Sequence, residues 1–361
     1  MNHIKLLSAI VFFILAVNCC TERIPVSERV ISMPLKFSSL EALIHDIELI
    51  PLETDGIHLL GSRVELLSDS LCWYLVDKDN GNLFRYSING SFLNNIGHRG
   101  NGPGEFLTLQ DVQLVEDTLV VFSFPDRIKR YRKDGSSIDT RIQSGLGDNS
   151  LMLRNGVLTY RGYRPDNKYR LSYIGLEGNT DYLPSNHHVL NMSTGDPVFS
   201  QYADSIWVID SYSPTVYCYT EQNCFEAYLT FDFGKYTIPE DFYLFSSPIK
   251  GSEYLLGRDF ARVSRFIPGK DGWLAEIPIQ SPSRVTMAYC LNKRGSIHWF
   301  KQVEKDPFFS AFRQIHDGSL YAAIEPDAIR GMSKQIRRKI VNHDSLTPSD
   351  DNYVIAKIRL R

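Results

Sequence analysis

From residue 46 onward, apolar residues come in short runs, alternating or continuous, each bounded by Gly, Asn, Asp, Ser or Pro. That rhythm predicts many short antiparallel strands. Two marks recur along it. The first is a polar turn followed by an apolar strand: Asp69-Ser70-Leu71, Asp117-Thr118-Leu119, Asn155-Gly156-Val157, Asp204-Ser205-Ile206, Asp271-Gly272-Trp273 and Gly318-Ser319-Leu320. These polar residues tolerate left-handed backbone or hydrogen-bond to their own main chain. The second mark is an apolar residue, three variable residues, then Gly or Asn. It occurs at Tyr86 to Gly90, Tyr131 to Gly135, Ile174 to Gly178, Tyr219 to Asn223 and Leu291 to Gly295. Within a unit it follows the first by roughly 15 residues, as the next hairpin turn of a meander would.

The strand starts at 71, 119, 157, 206, 273 and 320 define six units. Most are spaced by about 40–50 residues, the length of one four-stranded propeller blade. The longer interval holds an insertion around Lys235 to Phe260. So many strands must close, split or pack, because open sheet edges are hazardous. Radial repetition leaves only short edges. The predicted fold is therefore all-β: a six-bladed β-propeller with four-stranded antiparallel blades. Unit six has strands near Phe308–Gln314, Leu320–Glu325 and Tyr353–Leu360 and lacks a fourth. Ile47–Leu52 is otherwise spare, so it is expected to complete blade six and close the ring. The rivals are two β-sandwich domains or a barrel.

Helical periodicity stands out once, at Asp327–Val341, a helical insert in blade six. Ile329, Met332, Ile336 and Ile340 fall on one face, expected to dock on the propeller. Arg330, Lys334, Arg337, Arg338 and Lys339 make the outer side basic, either solvated or facing anionic lipid or glycan.

Residues 1–20 read as a targeting segment. A weakly basic start precedes an apolar stretch, Leu6 to Val17, too short to span a bilayer comfortably. Asn18-Cys19-Cys20 follows at once and resembles a bacterial lipoprotein signal, whose cysteine carries the lipid. Cys20 is the favoured acceptor and Cys19 the alternative; an ordinary cleaved secretory signal is the plainer reading. The expected organisation is a signal at 1–20, a tether at 21–45 and the propeller at 46–361. The expected location is the cell envelope, lipid-anchored, at the outer membrane or facing the periplasm. The remaining cysteines, Cys72, Cys218, Cys224 and Cys290, lack C-x-x-C spacing, so no zinc site is expected. Cys218 and Cys224 flank a turn and either pair across it or stay free.

Composition changes this picture little. Hydrophobic content is 43%, charged content 22% and net charge −3, with Lys and Arg scattered, which argues against nucleic acid as a partner. The 19 Tyr and 20 Phe suit strand packing, or an aromatic platform for sugar or peptide.

Several segments carry a family resemblance: Ile47-Glu-Leu-Ile-Pro-Leu-Glu53, Ile96-Gly-His-Arg-Gly-Asn-Gly-Pro-Gly-Glu-Phe106, Asp126-Arg-Ile-Lys-Arg-Tyr131, Gly162-Tyr-Arg-Pro-Asp166 and Asp350-Asp-Asn-Tyr-Val354. Through them the chain resembles the six-bladed β-propeller lipoproteins of Bacteroides-type bacteria. It is similar, more distantly, to NHL-type propellers, a group that mixes binding scaffolds with a few metal-dependent enzymes. The resemblance implies fold and export, and little about ligand.

Gly97 to Glu105 holds Gly97, Gly100, Gly102 and Gly104 but lacks the Lys-Ser/Thr and helix of a phosphate loop. It reads as a blade-to-blade connection. His98, Arg99 and Glu105 on it are candidate polar ligand contacts. Asp77, Asp126 and Asp210 fall at comparable places in units one, two and four. Paired, or with calcium between them, they would suit hydrolysis; otherwise they are turn residues. His187-His188 reads as a solvated loop pair. There is no nucleophile elbow and no Cys-His signature. The leading functional reading is a non-enzymatic, envelope-anchored module that binds a glycan, a peptide or a partner protein. No cofactor is expected, calcium being the one candidate. The rival is a metal-dependent hydrolase or lyase working in the channel, and a third reading is a structural subunit of an envelope complex.

Overall fold

The computed structural model describes residues 29–162, 168–185, 195–210, 212–219, 224–301, 312–316, 318–341 and 352–361. Their strands form six small antiparallel sheets and one two-residue parallel bridge. Blade one is Val64–Ser68, Cys72–Asp77, Asn82–Ser87 and Phe92–Asn95. Blade two is Asp111–Val115, Thr118–Ser123, Arg127–Arg132 and Ser137–Ile142. Blade three is Asn149–Leu153, Gly156–Tyr160, Tyr169–Gly175 and Asn179–Pro184. Blade four is Phe199–Tyr202, Ser205–Ile209, Thr215–Tyr219 and Phe225–Asp232. Blade five is Arg265–Gly269, Gly272–Ser281, Arg284–Lys293 and Ser296–Lys301. Blade six is Phe312–His316, Ser319–Ile324, Val354–Leu360 and, from the start of the chain, Ile44–Pro51. The first strands of the blades touch in cyclic order, with blade six returning to blade one. The sheets thus surround an axis, and the predicted six-bladed propeller is the fold.

The ring closes as expected. Ile44–Pro51 lies antiparallel to Val354–Leu360, with Leu49 opposite Ala356. Each seam between blades has its own apolar core, because neighbouring residues on a strand point to opposite faces. In blade two, Leu119 and Val121 pack toward blade one, while Val120 and Phe122 pack toward blade three. That is why second strands read as continuous apolar runs. Each such buried side chain is worth about 1.5–3 kcal/mol. Glycines of the second mark take positive φ, at Gly90, Gly135, Gly178 and Gly295. At Gly135 a Cβ would also sit 2.3 Å from the Asn95 carbonyl oxygen of blade one, so the turn of one blade rests on its neighbour.

Three expectations change. Residues 30–45, expected within a tether, lie on the propeller. Val30–Ser32 adds a parallel strand to Phe225–Asp232, Ser38 bridges Phe300, and Ile44 opens the closing strand. Ile31, Met33 and Phe37 pack on the core between blades four and five, which draws the segment out of solvent. The insert of blade six is two short helices, Pro326–Gly331 and Lys334–Arg337. The break falls at Ser333, whose hydroxyl accepts from Ile336 N (3.3 Å) and caps the second helix. Its apolar face docks as expected, with Ile329, Met332, Ile336 and Ile340 buried. A further helix, Pro248–Leu256, lies in the insertion between blades four and five. The four cysteines Cys72, Cys218, Cys224 and Cys290 are free, and the register sets Cys218 opposite Glu226.

Candidate functional site

A meander returns its first and third turns to one end of the blade and its second turn and exit to the other. At the first end the first turns are tight, at 69–71, 116–117, 154–155, 203–204 and 270–271. The other end carries the long segments 52–63, 96–110 and 233–259 and the beginning of the blade-six insert at residue 325. Every candidate contact from the sequence, His98, Arg99, Glu105, Asp77, Asp126 and Asp210, belongs to this long-loop end.

A repeated device holds these loops. A polar residue at the end of the second strand accepts hydrogen bonds from the connection that arrives from the previous blade. Asp77, fully buried, accepts from Gly61 N (3.0 Å), Asp79 N (3.0 Å) and the Asn80 amide (2.8 Å). Ser123 Oγ accepts from Leu107 N (3.1 Å) and Thr108 N (3.2 Å). Thr159 Oγ1 accepts from Gly147 N (2.6 Å). Buried loop amides need such acceptors. The residue of blade two equivalent to Asp77 is thus Ser123. Asp126 sits beyond it in the turn, at φ +50°, and its carbonyl accepts from Gln143 N (2.8 Å).

Asp210, also fully buried, has a different task. It accepts from the Tyr160 hydroxyl (2.5 Å) and pairs with Arg170, tying blade four to blade three. Nearby, Arg262 pairs with Asp196, and the Tyr243 hydroxyl donates to the Tyr212 carbonyl (2.7 Å). Burial pushes the Tyr243 phenol up to about 12. A cleft of about 20 Å³, room for little more than a water, opens beside it, lined by Tyr212, Pro214, Phe233 and Tyr243 among others. That is smaller than ordinary small-molecule pockets. Sequence reading missed Arg170, Arg262 and Tyr243; their partners are remote in the chain, and no local spacing announces them.

The glycine-rich segment is a folded loop. His98–Arg99 and Glu105–Phe106 form the parallel bridge. Glu105 accepts from Gly102 N (2.6 Å) and meets the His98 ring (2.9 Å). These bonds, the backbone one first, hold its carboxyl below the usual range. A Cβ at Gly100 would lie 2.0 Å from that carboxylate. His98 and Arg99 are exposed. Beneath the loop, Lys129 is buried, and burial lowers its pKa.

Along the axis, Asp111 and Gln113 of blade two bond to the first strand of blade three. Asp111 accepts from Ser150 N (2.9 Å), and the Gln113 amide spans Ser150 O (2.5 Å) and Met152 N (2.7 Å). Asp111 is partly open to the channel but surrounded by protein, and burial raises its carboxyl to about 6. Among the described residues, no three His, Cys, Asp or Glu side chains group as metal ligands would. Cys19, Cys20 and His187-His188 lie outside the described residues.

A family model described as a domain of unknown function, DUF4934, matches residues 21–358. The chain belongs to the DUF4934 family. Its fold is similar to that of a Bacteroides fragilis protein described as exported, with TM-score 0.76 at 14% identity, over 92% of this chain and 99% of that one. It is also similar to a DUF4221-family member from Bacteroides vulgatus, with TM-score 0.58 at 10% identity, over 88% and 98% of the two chains. No curated protein matches the sequence. The resemblance carried by the loop and strand segments therefore stands, and for this DUF4934 chain the solved structures fix the fold.

Proposed function

We propose that the chain is an exported envelope protein, lipid-anchored through Cys20, whose long-loop end is a non-enzymatic docking face for a partner protein or peptide. The observation that carries this reading is the unlikeness of the two ends. One is built of tight turns. The other gathers the start of both inserts, the long connections and most of the exposed apolar residues of the loops, among them Ile57, Phe124, Leu244, Ile249 and Leu256. Clustered exposed apolar residues beside charged ones mark interaction surfaces. Loops on a rigid ring are where such surfaces evolve. His98, Arg99 and Glu105 supply polar contacts at the same end. The similar fold of an exported Bacteroides protein and the signal-like first twenty residues support export.

Photo-crosslinking residues at Phe124 and Leu256, compared with Leu176 at the tight-turn end, test the docking face in intact envelopes. Crosslinked bands from the first two positions and none from Leu176 are expected; equal bands from all three sink the reading. Palmitate labelling tests the anchor: Cys20→Ala should abolish it. Labelling that survives Cys20→Ala and disappears in Cys19→Ala moves the lipid to Cys19. A glycan array, with and without calcium, separates a sugar ligand from a protein partner.

A further inference from the structure

The outer strand of blade two, Ser137–Ile142, is exposed at all six positions. Among the described residues, no other segment pairs with its outer edge. Gln143 N donates to Asp126 O, one step beyond the pair Arg127–Ile142. By the alternation of an antiparallel ladder, residues 141 and 139 direct their amides inward, while Thr140 and Ile142 direct theirs outward. This free edge has a self-complementary sequence. Laid antiparallel on itself about Thr140, it sets Ile138 opposite Ile142 and Asp139 opposite Arg141, and the symmetry makes each pairing twice. Ile142 is 75% exposed and Ile138 38%. Asp139 is already oriented by Arg130 of its own copy, with Nε and Oδ1 2.9 Å apart.

The other uncovered outer strands lack this property. Phe92–Asn95 has four residues and no charge. Asn179–Pro184 ends on a residue without an N–H and has Asp181 as its single charged side chain. Natural proteins usually protect edges with charges that repel a copy; here opposite signs meet when the strand is reversed on itself.

We propose that Ser137–Ile142 is a homodimer interface, in which a second copy of this chain pairs edge to edge about a two-fold axis through Thr140. Such an axis makes one patch complementary to itself. The interface is smaller than those of stable dimers, so association belongs in the weak, micromolar class.

The test is sedimentation equilibrium of the full chain in detergent. Concentration-dependent dimerisation is expected. Arg141→Glu and Asp139→Arg each set like charges opposite one another at two places, and each should weaken the dimer by about tenfold. An equimolar mixture of the two variants restores both attractive pairs and should recover the original affinity as a heterodimer. That recovery also shows that both variants are folded. A chain that stays monomeric throughout, a dimer indifferent to the two reversals, or a mixture no tighter than its components overturns the proposal.

Discussion

The outer edges of blades four, five and six are covered by other parts of the same chain, whereas those of blades one, two and three are open among the described residues. Val30–Ser32 pairs along blade four, Ser38 bridges blade five, and Ile340 bridges Ile47 on the outer strand of blade six. The seams differ in the same sense. Those between four and five and between five and six hold large apolar clusters. The seam between two and three holds a small one and relies on the Asp111 and Gln113 bonds. An unpaired edge invites association. One half of the ring resolves this with its own N-terminal segment and, on blade six, the helical insert. The other half relies on a short strand in blade one and a terminal proline in blade three, while blade two keeps an open edge whose charges are complementary to a copy.

Four substitutions probe this contrast, Ile138→Asp as the control and the other three in falling order of expected effect. Leu49→Asp buries a carboxylate in the closing strand and should cost more than about 4 kcal/mol, seen as loss of the thermal transition. Ile138→Asp, on the open edge of blade two, should stay within about 0.5 kcal/mol. Comparable losses at the two sites would erase the distinction between halves. Arg170→Met strands the Asp210 carboxylate at the seam joining them and should cost about 3 kcal/mol, while adding Asp210→Leu recovers much of it. Urea unfolding of the single and double variants measures both. Ile31→Asp should detach the N-terminal strand from blade four for about 2 kcal/mol and speed amide exchange at Thr230 and Asp232, with blades one to three unaffected.

The smallest effect of a buried group belongs to the polar seam and depends on pH. The Asp111 carboxyl titrates at about 6 in the folded chain against 3.8 unfolded. Below 3.8 both states hold the proton. Between 3.8 and about 6 the folded state holds it more tightly, so stability falls as pH rises, and above 6 the full cost persists. Asp111→Asn should therefore stabilise the protein by about 1–2 kcal/mol at pH 7–8 and add nothing at pH 4, with channel water keeping the gain below the full shift. A gain that is the same at both pH values would show that burial of the charge is not its cause.

Blade count, meander and ring closure were legible because turn residues and apolar runs repeat at fixed spacing. Register was less so. Asp77, Asp126 and Asp210 looked equivalent by position in their units, yet the true counterpart of Asp77 is Ser123, since a slip of a few residues changes which side chain caps the loop. In two turns of the first mark the left-handed residue is Glu116 or Ala203, one place before the aspartate. The N-terminal strand did carry a signal: Ile31, Met33 and Phe37 alternate as a strand would, but Pro34 and the brevity of the run mask it. Ser247 and Pro248 likewise announced the helix after them, although Gly251 weakens its helical pattern. Contacts such as Arg170 with Asp210 have no local trace at all.

The pairing of Ile44–Pro51 with Val354–Leu360 also sets an order of events. Until Val354–Leu360 has been made, blade six lacks its third strand, and its fourth has nothing to pair with. Trp73 of blade one and Tyr321 of blade six, which meet in the completed ring, then lack a closed seam between them. Pairings this remote in sequence form slowly, and chains waiting for them expose apolar surface. The closing strand thus makes the propeller its own test of completeness, since a chain interrupted before its last strand stays an open arc for proteases to remove.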